Sequence, residues 1–154
     1  MKNIHFIESL AYQIELTSRI CHETFKRWFE EKVGDLISTD EFIILDTLDC
    51  NPGLSQIELA NTILKGKAHT GKFLDSMEAK GYIKRLYDTK NSRMVKIPVI
   101  TDKGKELYNK ICNELHEIRD LFERVYPQED VDKLANSLKH LRETVVKIEN
   151  ISFN

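Results

Sequence analysis

Residues 55–100 carry the pattern that most restricts how this chain folds. Ser55 and Glu58 form an S-x-x-E capping box, which satisfies two backbone N–H groups reciprocally and starts a helix. Ile57, Leu59, Ala60 and Ile63 follow at helical spacing and are expected to face a core. Lys65-Gly66 breaks that helix, and a second one is predicted over 67–80. Gly81 is its expected C-cap, since glycine adopts positive φ without steric cost. "YIKRLYD" at 82–88 and "MVKIPVI" at 94–100 read as two short strands, separated by polar "TKNS".

Helix, turn, helix and hairpin in that order make a winged helix-turn-helix. What flanks it is helical and too long to belong to so small a unit. A first helix is predicted over 4–33, with Ile7, Leu10, Ala11, Ile14, Cys21, Phe25 and Trp28 at 3-and-4 spacing and Gly34 as its stop. A second spans about 39–49, with Thr39 or Asp40 as N-cap and Phe42, Ile43, Leu45 and Leu48 turned inward. Beyond the hairpin, Thr101 and Asp102 cap a helix over about 102–124 that carries Leu107, Ile111, Leu115, Ile118, Leu121 and Phe122. Pro127 is expected at the first position of a last helix. There Val131, Leu134, Leu138, Leu141, Val145 and Ile148 repeat at 3-and-4 spacing, a heptad-like seam. The expected fold is mainly α with a β-hairpin wing. Residues 1–34 and 102–154 are expected to form dimerisation helices, and 35–101 the DNA-binding domain.

No apolar run approaches the roughly 20 residues that cross a bilayer. The first residues lack a signal-peptide pattern, so a cytoplasmic protein without membrane association is expected. Cys21, Cys50 and Cys112 are odd in number and far apart, as expected of free thiols in a reducing compartment. Net charge is −2, but nine basic and three acidic residues between Lys65 and Lys96 give that stretch +6 and leave −8 elsewhere. A basic block in an acidic chain is the footprint of a polyanion partner.

Gly66 to Phe73, "GKAHTGKF", is one residue short of a phosphate-cradling P-loop. A nucleotide-binding protein using this loop is the alternative reading, and three features oppose it. Phe73 stands where a hydroxyl would hold Mg²⁺. The preceding segment is a capped helix and not a buried strand. The alternating strands and helices of a nucleotide fold are missing. A DNA-reading helix explains the same residues better. Phe73, Leu74, Met77 and Thr70 share the inward face of helix 67–80, while His69, Lys72 and Ser76 share the opposite one. Lys65 and Lys67 suit phosphates. Gly71 costs about 0.5–1 kcal/mol mid-helix relative to Ala, which a close backbone approach would rationalise. A third reading is a heptad helix that binds a different protein. No Ser/His/Asp or paired-carboxylate arrangement stands out, so no enzyme activity and no cofactor is expected.

"LANTILKGKAHTGKFLDSMEAKGYIKRLYD", the wing and "ITDKGKEL" together resemble the MarR family of transcription regulators. The match runs through Leu59, Ala60, Leu74, Asp75, Met77, Glu78, Lys80, Gly81, Ile83, Arg85, Asp88, Arg93, Ile100, Thr101 and Gly104. The resemblance implies a homodimeric repressor on a pseudo-palindromic double-stranded operator, released by a small-molecule or stress signal. It implies that Arg93 at the wing tip enters the minor groove. The residues expected at DNA are Ser55, Gln56, Lys65, Lys67, Ala68, His69, Gly71, Lys72, Ser76, Lys90, Asn91 and Arg93. One departure is visible. "RMVKIPVIT" holds one residue more than the family pattern and contains Pro98, which cannot donate to a ladder, so a β-bulge is expected there.

Relatives of this kind sense aromatic acids, oxidants or metals. Ile14 occupies the place of the peroxide-sensing cysteine, and Thr39 and Phe42 stand near its tyrosine partners. No pair of the five histidines has metal-ligand spacing. Cys21, Phe25, Trp28 and Phe42 are the candidate lining of an effector pocket.

Overall fold

The structure is a computed structural model that describes residues 5–90, 92–116, 124 and 126–149. The chain divides into two units, Met1–Thr39 and Asp40–Asn154. The first is built on one helix, α1 (Leu10–Val33), preceded by a 3₁₀ turn at Phe6–Glu8. The helix starts later than its apolar spacing predicts. Ser9 is in an extended conformation, and its hydroxyl accepts from Tyr12 N at 3.3 Å, which places the N-cap there. Gly34 stops it at φ 64, as expected. Phe29 and Val33 are buried near its end, while Leu10 and Ile20 are exposed.

In the second unit α2 (Thr39–Cys50) buries Phe42, Ile44, Leu45 and Leu48, together with one carboxylate, Glu41. Ile44, not the expected Ile43, faces the core. The stripe 41–44–45–48 leaves residue 43 on the outside, where its carbonyl accepts from Thr47 Oγ1 at 2.7 Å. The helix begins at Thr39, so Thr39 and Asp40 lie in its first turn and not at its cap. Both halves of the predicted capping box form at α3 (Gln56–Thr62). Ser55 N donates to Glu58 Oε2 at 2.7 Å, and Glu58 N donates to Ser55 Oγ at 3.3 Å. Leu59 and Ala60 are fully buried, whereas Ile57 is exposed, against expectation.

The turn to α4 (Lys67–Ala79) places Leu64 at φ 54, and Lys65 N reaches Ala60 O at 3.0 Å. That six-to-one bond is the Schellman closure, made here with a leucine in the left-handed position. Thr70, Leu74 and Met77 are buried on α4; Phe73 is only half-buried. Lys80 caps the helix, and Gly81 follows at φ 76.

The wing consists of β1 (Ile83–Lys90) and β2 (Arg93–Ile100), paired antiparallel from Ile83↔Ile100 to Lys90↔Arg93. The predicted bulge at Pro98 is absent, because the ladder needs no N–H there. Pro98 lies opposite Arg85, whose own N–H points away to Glu78 Oε1 at 3.0 Å. The two residues form a pair without mutual backbone bonds, the one ladder position a proline fills at no cost. Ser92, at φ 61, stands in the two-residue connection.

Thr101 caps α5 (Asp102–Glu114) by accepting from Gly104 N at 3.1 Å. The same hydroxyl donates to Gly81 O at 2.7 Å, and Thr101 N donates to Tyr82 O at 3.0 Å. The end of α4, the wing base and the start of α5 therefore meet at Gly104. A Cβ there would lie 2.0 Å from Tyr82 O, so only glycine fits. Helix α5 ends at Glu114, earlier than expected; the expected apolar positions Ile118, Leu121 and Phe122 lie outside the described residues. The last described helix, α6 (Gln128–Glu149), begins one residue after Pro127 and buries none of its side chains.

The glycines yield opposite predictions. Gly71 has ordinary helical geometry, and a Cβ would meet only the side-chain Nε2 of Gln56, at 3.4 Å. Gly71→Ala is therefore expected to raise stability by about 0.5–1 kcal/mol through helix propensity. Gly104→Ala drives a methyl group into backbone and is expected to cost about 3 kcal/mol, the upper end for overpacking. Urea midpoints of the two variants check both signs.

Candidate nucleic-acid interface

Helix α4 and the wing are locked together by one arginine. Arg85 on β1 donates from its backbone N and Nε to Glu78, at 3.0 and 2.9 Å. Its Nη2 reaches Glu78 Oε2 and Asp75 Oδ1, both at 2.6 Å. Glu78 and Asp75 lie about one turn apart on α4, so a single guanidinium bridges neighbouring turns of that helix. Its fork geometry suits this, where a lysine would offer a point charge. The Arg85 hydrogen bonds hold the Glu78 carboxyl below its ordinary value of 4.5, and the same partners raise the arginine further.

The nine basic residues of the central stretch divide accordingly. Three are engaged inside the fold. Lys65 pairs with Asp40 at 2.9 Å, Lys80 with Glu41 at 2.9 Å, and Arg85 with Glu78 and Asp75. Lys67, Lys72, Lys84, Arg93 and Lys96 are exposed and make no ion pair among the described residues. Lys96 Nζ sits 5.9 Å from the Tyr87 ring centre. The free positive charge thus lies on α4 and along the wing.

The expected contact residues sort as follows. Lys67, Ala68, His69 and Lys72 are exposed on α4, and the His69 ring stacks on Phe73 at 5.6 Å. Arg93 is exposed at the wing tip. Lys90 ends β1 opposite it, and its side chain lies outside the described residues, as does Asn91. Three expectations change. Ser55 is buried and serves as the α3 cap. Ser76 is half-buried and donates to Glu41 Oε1 at 2.7 Å, so it leaves the open face. Lys65 is held by Asp40. At Gly71 only the Gln56 side chain comes near, so no close backbone approach within the chain accounts for the mid-helix glycine.

Between α3, α4 and β2 lies an open cleft of about 420 Å³, lined by Gln56, Ile57, Lys67, Gly71, Asp75, Arg85, Met94 and Lys96 among others. Met94 and Lys96 carry no prior expectation as site residues. Strand alternation points to them, since they share the Arg85 face of the hairpin. The P-loop reading fails on geometry. Gly66 is the N-cap of α4, and the rest of the string lies inside that helix, where Thr70 N is already bound to Gly66 O at 3.0 Å. A phosphate cradle needs those amides free.

The expected pocket residues are divided too. Cys21, Phe25 and Trp28 are half-buried on α1, and Phe25 stacks with Trp28 at 6.3 Å. Phe42 is a core residue, stacked on Tyr108 at 6.0 Å. Tyr108 donates to Asp46 Oδ1 at 2.9 Å, and burial raises its pKa. Burial likewise pushes the Cys112 thiol up, away from the thiolate that redox sensing requires.

The Glu78–Arg85 pair has a pH signature. A carboxyl with a lowered folded pKa stabilises above its unfolded value, and that contribution disappears as pH falls through the folded value. The gap in urea midpoint between wild type and Glu78→Gln is expected to be widest at neutral pH and to close below about pH 4. A gap independent of pH contradicts the assignment.

Residues 37–95 match the family model of the MarR family. No curated protein matches the sequence. Solved structures with the same fold cover nearly the whole chain. A MarR/EmrR family transcriptional regulator from Acinetobacter sp. ADP1 is 21% identical, over 94% of this chain and 99% of that one, with a TM-score of 0.79. MepR of S. aureus, solved as a DNA complex, is 17% identical over 92% and 99%, with a TM-score of 0.72. The PcaV transcriptional regulator of Streptomyces coelicolor, solved with its natural ligand, is 11% identical over 94% and 99%, with a TM-score of 0.74. Residues 37–95 thus match the MarR family model, within a chain that shares the fold of solved MarR family regulators.

Proposed function

We propose that this chain is a homodimeric, sequence-specific regulator of transcription that binds double-stranded DNA. Helix α4 enters a major groove and the wing reaches the adjacent minor groove. The observation that carries this reading is the unpaired charge: Lys67 and Lys72 on α4, and Lys84, Arg93 and Lys96 on the wing. Lys72 and His69 offer donors to base edges or phosphates, and the lysines of the wing and helix start suit phosphates. The similarity to MepR, solved on DNA, supports it.

Exposed apolar seams support the dimer. Helix α6 buries nothing, and Leu134 and Ile148 are 57% and 72% exposed. Leu10 and Ile20 of α1 are exposed as well. Apolar stripes on two long helices are stable in water when a second copy covers them. Repression relieved by a small molecule completes the reading. Its support is the likeness to PcaV, and the Trp28 Nε1 donor, which is buried without an acceptor among the described residues. A ligand with an acceptor group would satisfy it.

Fluorescence anisotropy with a duplex selected by the protein from a random library tests the proposal. Affinity is expected to fall steeply between about 50 and 200 mM salt. Lys72→Ala and Arg93→Ala are each expected to weaken binding roughly tenfold. Sedimentation is expected to find two chains per duplex. Salt-independent or absent binding contradicts the reading.

A further inference from the structure

Glu41 carries a buried carboxylate in the first turn of α2. Glu41 is 4% exposed, among Phe42, Ile44, Leu45 and Leu48. Its Oε1 accepts from Ser76 Oγ at 2.7 Å and from Lys80 Nζ at 3.1 Å, and its Oε2 accepts from Lys80 Nζ at 2.9 Å. The preceding residue, Asp40, pairs with Lys65 two positions ahead of α4. Successive carboxylates in the first turn of α2 thus grip α4 at its two ends.

Burying a carboxylate is costly, and an apolar side chain of similar volume generally packs as well or better. Stability alone is a weak reason for this one. Geometry supplies a stronger reason. Ser76 stands one helical turn after Lys72 and two after His69, so a bond at Ser76 sets the rotation of α4 about its own axis. Apolar contacts at Thr70, Leu74 and Met77 tolerate small rotations, whereas a directional hydrogen bond with a paired charge does not.

We propose that Glu41 is a positioning residue for DNA reading: with Ser76 and Lys80 it fixes the rotation of α4 that aims His69 and Lys72 at base edges. This rests on the DNA-binding reading above. The consequence is specific. Loss of the grip blurs sequence discrimination, while attraction to the phosphate backbone, which depends on the unpaired lysines and Arg93, persists.

The test measures binding of Glu41→Leu and Ser76→Ala to the library-selected duplex and to a scrambled duplex of equal length, at matched salt. Both variants are expected to lower the ratio of the two affinities roughly tenfold, about the discrimination of one base pair. Scrambled-duplex affinity and the salt slope are expected to stay at the wild-type value. If Glu41→Leu fails to fold, Ser76→Ala carries the test, since it removes only the hydroxyl. An unchanged ratio in the folded variants overturns the proposal, and so does equal weakening on both duplexes. Failure of the wild type to bind either duplex overturns the DNA reading itself, together with the proposal.

Discussion

The Arg85 guanidinium sets the geometry on which the interface depends. Without it, the hairpin is held to α4 only at its base, through Tyr82 N to Met77 O and Thr101 to Gly81 and Tyr82. With it, β1 is tied to Glu78 and Asp75, one turn apart on the helix. The strand opposite follows from the register. Alternation from Lys90↔Arg93 makes Arg85↔Pro98 a non-hydrogen-bonded pair, so Pro98 has no ladder bond to make and fits without distorting the sheet. The outward Arg85 N–H that this leaves is satisfied by Glu78.

Electrostatics in this module separates into structure and surface. The acidic residues of α2 take up lysines on both sides: Asp40 and Glu41 hold the ends of α4, and Asp49 pairs with Lys105 of α5. Asp75 and Glu78 take up Arg85. The basic residues of the central stretch left unpaired among the described residues, Lys67, Lys72, Lys84, Arg93 and Lys96, lie on α4 and the hairpin. A chain with net charge −2 can therefore present a basic face, since its internal carboxylates are spent on positioning. Burial works on other groups in the same direction: the Cys112 thiol is driven toward its neutral, unreactive form.

Much of this was legible in the sequence because it is local. The capping box at Ser55 and Glu58 and the cap at Thr101 depend on residues within four positions and formed as read, while Gly81, at φ 76, stands one residue beyond the C-cap Lys80. Helix ends shifted by a few residues, as at Ser9 and Thr39, and the other errors came from contacts that sequence spacing cannot express. Ser76 has the spacing of an outward residue on α4, but its partner is Glu41, 35 residues away. Pro98 looked like an insertion needing a bulge, because the register that makes it a non-hydrogen-bonded partner of Arg85 depends on where the turn falls. Ile43 and Ile44 are equally apolar, and only the packing around α2 decides between them. Gly104 was read from a motif, while its necessity, the Tyr82 carbonyl where a Cβ would stand, appears only in three dimensions.

Hydroxyl-radical footprinting of the wild-type protein on its selected duplex tests the central claim most directly. An α4-and-wing reader acting as a twofold dimer is expected to protect two symmetry-related patches, their centres about one helical turn, roughly 10 base pairs, or a multiple of it apart. A single asymmetric patch, or uniform protection along the duplex, contradicts it.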